Sequence, residues 1–119
     1  MKTSHKRVLA AMLTGLFLAQ QTMLSSAFAT EITGYTGNNG VYNIDPAGWI
    51  TGTGIGYTKY KNFELSQGDI ANLIFLYGKD GVTHDIDTFI NLVQNQVRID
   101  GIVNSVKNGN FYNGKAIFV

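Results

Sequence analysis

From residue 41 onward, short apolar segments alternate with turns rich in glycine and asparagine. Asn38-Asn39-Gly40 is a strong turn signal because Asn and Gly accept positive φ, and the signal returns at 108–110 and 113–114. Apolar and polar residues alternate in 63–65 and in 96–100, which is typical of half-buried strands. Other β-prone pieces lie at 41–44, 49–51, 55–57, 102–104 and 116–119. The pattern predicts an all-β fold.

Two segments fit more than one kind of secondary structure. In 70–77 the apolar residues recur at i, i+3, i+4 and i+7, as on one face of a helix, with Ser66 or Asp69 available as an N-cap. This pattern leaves helix and strand equally open. Residues 88–94 also carry helical spacing, but they are rich in β-formers and adjoin a strand-like stretch. We expect a strand there.

The N-terminus has the layout of an export signal. Lys2, Lys6 and Arg7 form a positive region, an apolar run covers 8–18, and Ala27-Phe28-Ala29 supplies the small–x–small pattern of a cleavage site. The apolar run is shorter than the roughly 20 residues that span a bilayer. We predict a signal peptide at 1–29, cleavage between Ala29 and Thr30, and a single domain at 30–119.

Charge and cysteine content narrow the possible partners. Without Lys2, Lys6 and Arg7, six basic residues face all eight acidic ones, so the remainder is mildly acidic. That balance gives no electrostatic basis for binding nucleic acid. The chain has no cysteine. It must therefore be stabilised by burial and backbone hydrogen bonds.

Residues for catalysis are few. After residue 29 the chain has one histidine, His84, and two serines, Ser66 and Ser105, without a G-x-S-x-G elbow. His84 and the aspartates at 80, 85 and 87 lack the spacing of a calcium loop. The glycine-rich stretch 52–56 has neither the preceding strand nor the following helix of a nucleotide-binding loop. We predict no enzymatic activity, no metal and no cofactor.

The order of strands and turns is compatible with a solenoid. Strand centres near Leu73, Phe89 or Ile99, and Ile117 recur every 16 to 26 residues or so. Stacked coils would bury a continuous core that one coil cannot bury alone. Asn-Gly pairs also suit antiparallel hairpins, so turn chemistry leaves the topology open. The chain stops at Phe118-Val119 within an apolar strand, from which we expect a truncated solenoid.

A family resemblance rests on Asn62-Phe63-Glu64-Leu65 and on three further stretches, 68–74, 89–105 and 109–119. Over about 41–119 the chain resembles the N-terminal secretion domain of two-partner-secreted filamentous haemagglutinins, most closely the leukotoxin-type filamentous adhesins. The resemblance implies a right-handed parallel β-helix with N-terminal capping strands. The family's Asn-Pro-Asn-Gly-like and Asn-Pro-Asn-Leu-like motifs are not present, nor is its long downstream β-helix.

The resemblance also implies a route and partners. Family members cross the inner membrane through the Sec translocon, and the POTRA domains of a cognate outer-membrane β-barrel transporter recognise them in the periplasm. They then fold at the cell surface, where the downstream region meets host receptors. The expected function is therefore secretion targeting of a surface adhesin. The residues expected to carry family identity or transporter recognition are Phe63, Leu65, Asn91, Gln94, Asn95, Arg98 and Asn104.

Aromatic residues support an alternative function. Trp49 and the tyrosines at 35, 42, 57 and 60 could form a platform for sugars, as in a stand-alone secreted module that binds carbohydrate or a host surface. Packing of these rings over the end of a sheet is the competing interpretation.

Overall fold

The computed structural model describes residues 28–119, and every regular element in that range is a β-strand. The predicted all-β fold is confirmed. The strands are β1 Glu31–Ile32, β2 Val41–Ile44, β3 Gly48–Ile50, β4 Ile55–Leu65, β5 Ile70–Ile74, β6 Leu76–Lys79, β7 Val82–Asp85, β8 Thr88–Ile99, β9 Ile102–Lys107, β10 Asn110–Phe111 and β11 Lys115–Phe118. The predicted signal peptide at 1–29 lies almost wholly outside the described residues.

The strands form two larger sheets and one hairpin. The first sheet has the order β1-β4-β8-β11, with β3 also paired to β4, and the second has the order β10-β9-β5-β2. In the first sheet β4, β8 and β11 are parallel, and in the second β2, β5 and β9 are parallel. The short strands β1, β3 and β10 pair antiparallel. Both larger sheets are thus mixed, and neither is closed.

Parallel partners are far apart in sequence. Val41 pairs with Ile70, and Ile70 pairs with Ile102, which are 29 and 32 positions apart. In the first sheet Thr88 lies between Ile55 and Lys115, at separations of 33 and 27. These separations are longer than the 16 to 26 residues predicted between strand centres. The reason is that the chain adds a strand to each of the two sheets before it adds the next strand to the first of them.

The segment 70–77 forms strands, which resolves the ambiguity in its pattern. Ala71 and Leu73 are fully buried, whereas Ile70, Asn72 and Ile74 are only half-buried, so the period of burial is two. β5 pairs with β2 on one edge and β9 on the other. These two ladders satisfy the backbone of β5 in the extended form and outweigh the helical spacing. The strand predicted at 88–94 is confirmed as part of β8.

The core lies between the two larger sheets and is rich in aromatic rings. Phe63 contacts Tyr60 edge-on at 5.1 Å between ring centroids and Phe118 at 4.9 Å, and Phe75 meets Phe89 at 5.7 Å. Edge-to-face pairs of this kind add about 0.5–1.5 kcal/mol beyond the area they bury. The buried apolar residues are Ile32, Ile44, Tyr60, Phe63, Leu65, Ala71, Leu73, Phe75, Ile86 and Phe89.

Turn chemistry agrees with the predicted breaks. Asn39 and Gly40 have φ of 53° and 80°, and Asn108 and Gly109 have φ of 52° and 79°. Gly101 separates β8 from β9 where the sequence predicted a break. A Cβ atom at Gly101 would collide with the backbone oxygens of Asp69 and Ser66. Only glycine therefore fits this corner without a shift of the backbone.

Candidate recognition surface

A bulge in β8 creates the most irregular part of the first sheet. Tyr60 pairs with Val93, but Asn62 pairs with Gln96, so two residues of β8 stand opposite one residue of β4. The two residues opposite Lys61 are Gln94 and Asn95, and both are exposed. Bulges bend a strand and redirect its side chains, and they are common beside functional sites.

A cleft of about 520 Å³ lies beside this bulge. We call it the bulge cleft; its lining residues are Lys59, Tyr60, Lys61, Leu92, Val93, Gln94 and Val119. Lys59 and Lys61 are exposed, whereas Tyr60 between them points into the core. The alternation of β4 thus places two ammonium groups on the outer face. The cleft combines positive charge with a polar bulge.

Lys59 and Lys61 are not among the recognition residues predicted from the sequence. The signal was present, because Lys59-Tyr60-Lys61 alternates charged and aromatic residues within a β-prone stretch. What the sequence lacked was the register of β4 against β8, which brings these lysines beside Gln94.

Arg98 lies farther along β8 and is about half exposed. Its guanidinium group is 3.6 Å from the Asp100 carboxylate and 4.1 Å from the centroid of the Phe28 ring. Exposed ion pairs contribute little to stability, typically about 0.2–1 kcal/mol. The Arg98 guanidinium group can therefore exchange its contact with Asp100 for a contact with a partner at little cost in folding stability.

Three of the predicted recognition residues are buried. Phe63 and Leu65 are fully buried on β4, and Asn91 is fully buried on β8. In the folded chain these three side chains stabilise the first sheet from inside. They are not accessible to a binding partner. Gln94, Asn95 and Arg98 share the exposed half of β8, while Asn104 lies on β9 in the second sheet.

Asn91 links three strands through its amide. Its Oδ1 accepts a hydrogen bond from the Tyr60 hydroxyl at 2.5 Å, and its Nδ2 donates to the Ile117 carbonyl at 3.2 Å. Burial raises the pKa of Tyr60 far above its usual value, and the nearby Tyr35 raises it further. The hydroxyl therefore keeps its proton and remains a donor to Asn91.

Asn104 belongs to a row of amides on the second sheet. Its Nδ2 donates to Asn72 Oδ1 at 3.1 Å, and Asn72 Nδ2 donates to Asn43 Oδ1 at 3.0 Å. We call these three residues the amide row. They are mutual partners in the parallel ladders of β2, β5 and β9. Such a row forms when strands stack in register.

Most of the rings named for an aromatic platform, Tyr35, Tyr42, Trp49 and Tyr60, belong to the core or pack against it. The ring of Trp49 stacks on His84 with 3.8 Å between centroids, and the Trp49 Nε1 group is buried without a hydrogen-bond partner among the described residues. The Tyr35 hydroxyl bonds to Thr58, and Tyr60 bonds to Asn91. These rings pack against the protein itself, in agreement with the competing interpretation.

The described residues offer little for metal or covalent chemistry. No group of three or more His, Asp or Glu side chains between residues 28 and 119 could hold a metal ion. His84, the one histidine in this range, is covered by Trp49. The described part of the chain contains no helix that is long and apolar enough to cross a membrane.

The chain just after the predicted cleavage site is attached to the fold. Thr30 Oγ1 donates to Asp69 Oδ2 at 2.5 Å and accepts from the Ser66 amide at 2.8 Å. β1 follows at once and pairs with the end of β4, where Ile32 is buried. Thr30 is thus linked by its side chain to the turn between β4 and β5.

Comparison with known proteins adds no relative. No protein family, curated protein or solved structure matches this chain.

Proposed function

We propose that residues 30–119 form the first coils of a right-handed parallel β-helix that directs the secretion of a surface adhesin. The observation that carries this proposal is the in-register stacking of β2, β5 and β9 opposite β4, β8 and β11. The amide row supports it, because it requires the same register in three successive strands. In this proposal β1 caps the N-terminal end of the coils.

The route follows from the family resemblance. The Sec translocon exports the chain, the signal peptide is removed after Ala29, and the POTRA domains of a cognate outer-membrane transporter bind the domain in the periplasm. Folding of the coils outside buries apolar surface and opposes return through the pore. The role is one of targeting, with no reaction catalysed, and the downstream region would contact the host receptor.

We assign transporter recognition to the bulge cleft, so in this proposal β4 and β8 pair in the periplasm before the rest of the chain folds outside. The cleft places Lys59, Lys61 and Gln94 side by side on the outer face of the first sheet. Asn95 and Arg98 extend this exposed polar surface along β8. Of the apolar lining residues, Tyr60 is buried in the core whereas Val119 is 67% exposed. We assign specificity to the exposed polar groups, which set the choice of partner in an interface.

Co-expression with the cognate transporter tests this function. The full chain should reach the cell surface only when the transporter is present. Surface labelling of intact cells measures that step, and cells with an inactive transporter are the control. Retention in the periplasm despite an active transporter would contradict the proposal.

A further inference from the structure

The outer face of the second sheet carries a neutral groove that is separate from the bulge cleft. On β5, Ala71 and Leu73 point into the core, so Ile70, Asn72 and Ile74 lie on the opposite, outer face. Their parallel partners Ile102, Asn104 and Val106 lie on that face of β9. The face therefore presents an aliphatic row, the amide row and a second aliphatic row.

The β9–β10 hairpin forms a wall at one side of this face. Phe111 pairs with Val106, which places its ring at the end of the second aliphatic row. The ring is 83% exposed, more than any other large apolar side chain among the described residues. A groove of about 620 Å³ lies between the hairpin and the sheet. Its lining residues are Asn43, Asn72, Ile74, Val106, Gly109, Asn110 and Phe111.

The chemistry of this lining favours one class of ligand. None of the seven residues is ionisable, so an anionic or cationic ligand would find no counter-charge. Asn43 is exposed at the end of the amide row, where its carbonyl accepts from Asn72 and its NH₂ group has no acceptor within the described part of the chain. An exposed aromatic face beside side-chain amides suits a molecule with hydroxyl groups on its edges and C–H groups on its faces.

We propose that this groove binds a short neutral oligosaccharide. The Phe111 ring stacks on a sugar face, and the amides of Asn43 and Asn110 bond its hydroxyl groups. The volume lies within the range of about 300–1,000 Å³ that is usual for small-molecule sites. The groove and the bulge cleft lie on different sheets and share no lining residue.

A glycan array probed with the full chain tests the proposal. The array holds neutral, sialylated and sulfated glycans of mammalian type and neutral fragments of bacterial polysaccharides, so that it also distinguishes host from bacterial sources. We expect binding to neutral glycans. Signal confined to charged glycans, or no signal above background, would overturn the assignment.

Variants then locate the site on the best neutral glycan, with affinity measured by calorimetry. Phe111→Ala and Asn43→Ala should each weaken binding at least tenfold. Ile102→Ala is the matched control, since it removes an exposed apolar side chain outside the groove and should leave affinity unchanged. Circular dichroism verifies that each variant is folded. Equal affinity of Phe111→Ala and the unmutated chain would refute the site even if a glycan binds elsewhere.

Discussion

The Tyr60 hydroxyl donates a hydrogen bond to Asn91 Oδ1 over 2.5 Å, between two side chains 31 positions apart and both buried. This bond joins β4 to β8, and the amide of Asn91 continues to the backbone of β11. A single polar side chain thus connects all three parallel strands of the first sheet. Buried polar groups that are fully paired favour one register over its alternatives.

Removal of either partner should destabilise the fold. Tyr60→Phe leaves Asn91 Oδ1 without its donor, and we expect the free energy of unfolding to fall by about 1–3 kcal/mol. Asn91→Leu should cost at least as much, because the Tyr60 hydroxyl and the Ile117 carbonyl both lose a partner. Urea unfolding of both single variants and the double variant gives the interaction energy between the Tyr60 and Asn91 side chains. Strict additivity of the two losses would contradict the bond.

Alkaline pH should weaken the fold through Tyr60. Because burial raises the pKa of Tyr60 in the folded state, unfolding releases its proton once the pH exceeds the ordinary tyrosine value of 10.0. Stability is therefore complete below pH 10 and declines as the pH rises above it. Urea unfolding between pH 9 and 11 measures the slope. Tyr60→Phe should flatten this decline, and an unchanged slope would exclude Tyr60 as its source.

The amide row should contribute to the second sheet mainly through its central residue. Asn72→Ala removes both hydrogen bonds of the row, and we expect a loss of about 1–2 kcal/mol. Asn110→Ala is the control, because Asn110 is exposed and makes only a 3.4 Å contact with the Asn108 carbonyl. Chemical denaturation compares the two. If both variants were equally stable, the row would have no energetic role.

Gly101 should tolerate no side chain. A Cβ at this position meets two backbone oxygens, so Gly101→Ala should destabilise the chain by about 1–3 kcal/mol. A Cβ at Gly78 has its nearest neighbour at 4.0 Å, the Val82 carbonyl oxygen. Gly78→Ala should therefore change stability by less than about 0.5 kcal/mol. Thermal unfolding compares the stability of the two variants. Equal stability of Gly101→Ala and Gly78→Ala would contradict the close backbone contacts at Gly101.

Charge reversal at the bulge cleft should impair secretion without unfolding the domain. Lys59→Glu combined with Lys61→Glu reverses the exposed charge beside Gln94, and we expect surface display to fall several-fold. Lys79→Glu changes an exposed lysine on β6, outside the cleft, and should leave display intact. Surface labelling in cells that express the transporter compares these variants. Normal display of the double variant would remove the bulge cleft from transporter recognition.

The sequence predicted local features better than long-range ones. Turns at Asn39-Gly40 and Asn108-Gly109 were evident because φ preference is a property of single residues. The alternation in 96–100 identified a strand correctly but did not predict its exposure. Val97 and Ile99 pair with buried residues of β4, yet they are 43% and 40% exposed. Within the described part of the chain, β11 pairs only with residues 88–91 on the other edge of β8.

Other features depend on partners that are distant in sequence. Asn91 was predicted to contribute to transporter recognition, whereas its buried role depends on Tyr60 and Ile117, which are distant in sequence. The β6–β7 hairpin was not predicted although Asp80-Gly81 is a hairpin signal, since Asp80 was considered only as a possible metal ligand. Asp80 and Gly81 both have positive φ, 53° and 78°.

The distance between residues 41 and 102 tests the stacked arrangement most directly. Both lie in the same outer row, separated by the partner position at Ile70. Two strand spacings put their backbones about 10 Å apart. The chain has no cysteine, so Val41→Cys with Ile102→Cys accepts one nitroxide at each site. We predict dipolar broadening of the electron paramagnetic resonance spectrum, relative to the singly labelled chains. Spectra of the doubly labelled chain that equal the sum of the single ones would contradict the in-register stacking on which the account depends.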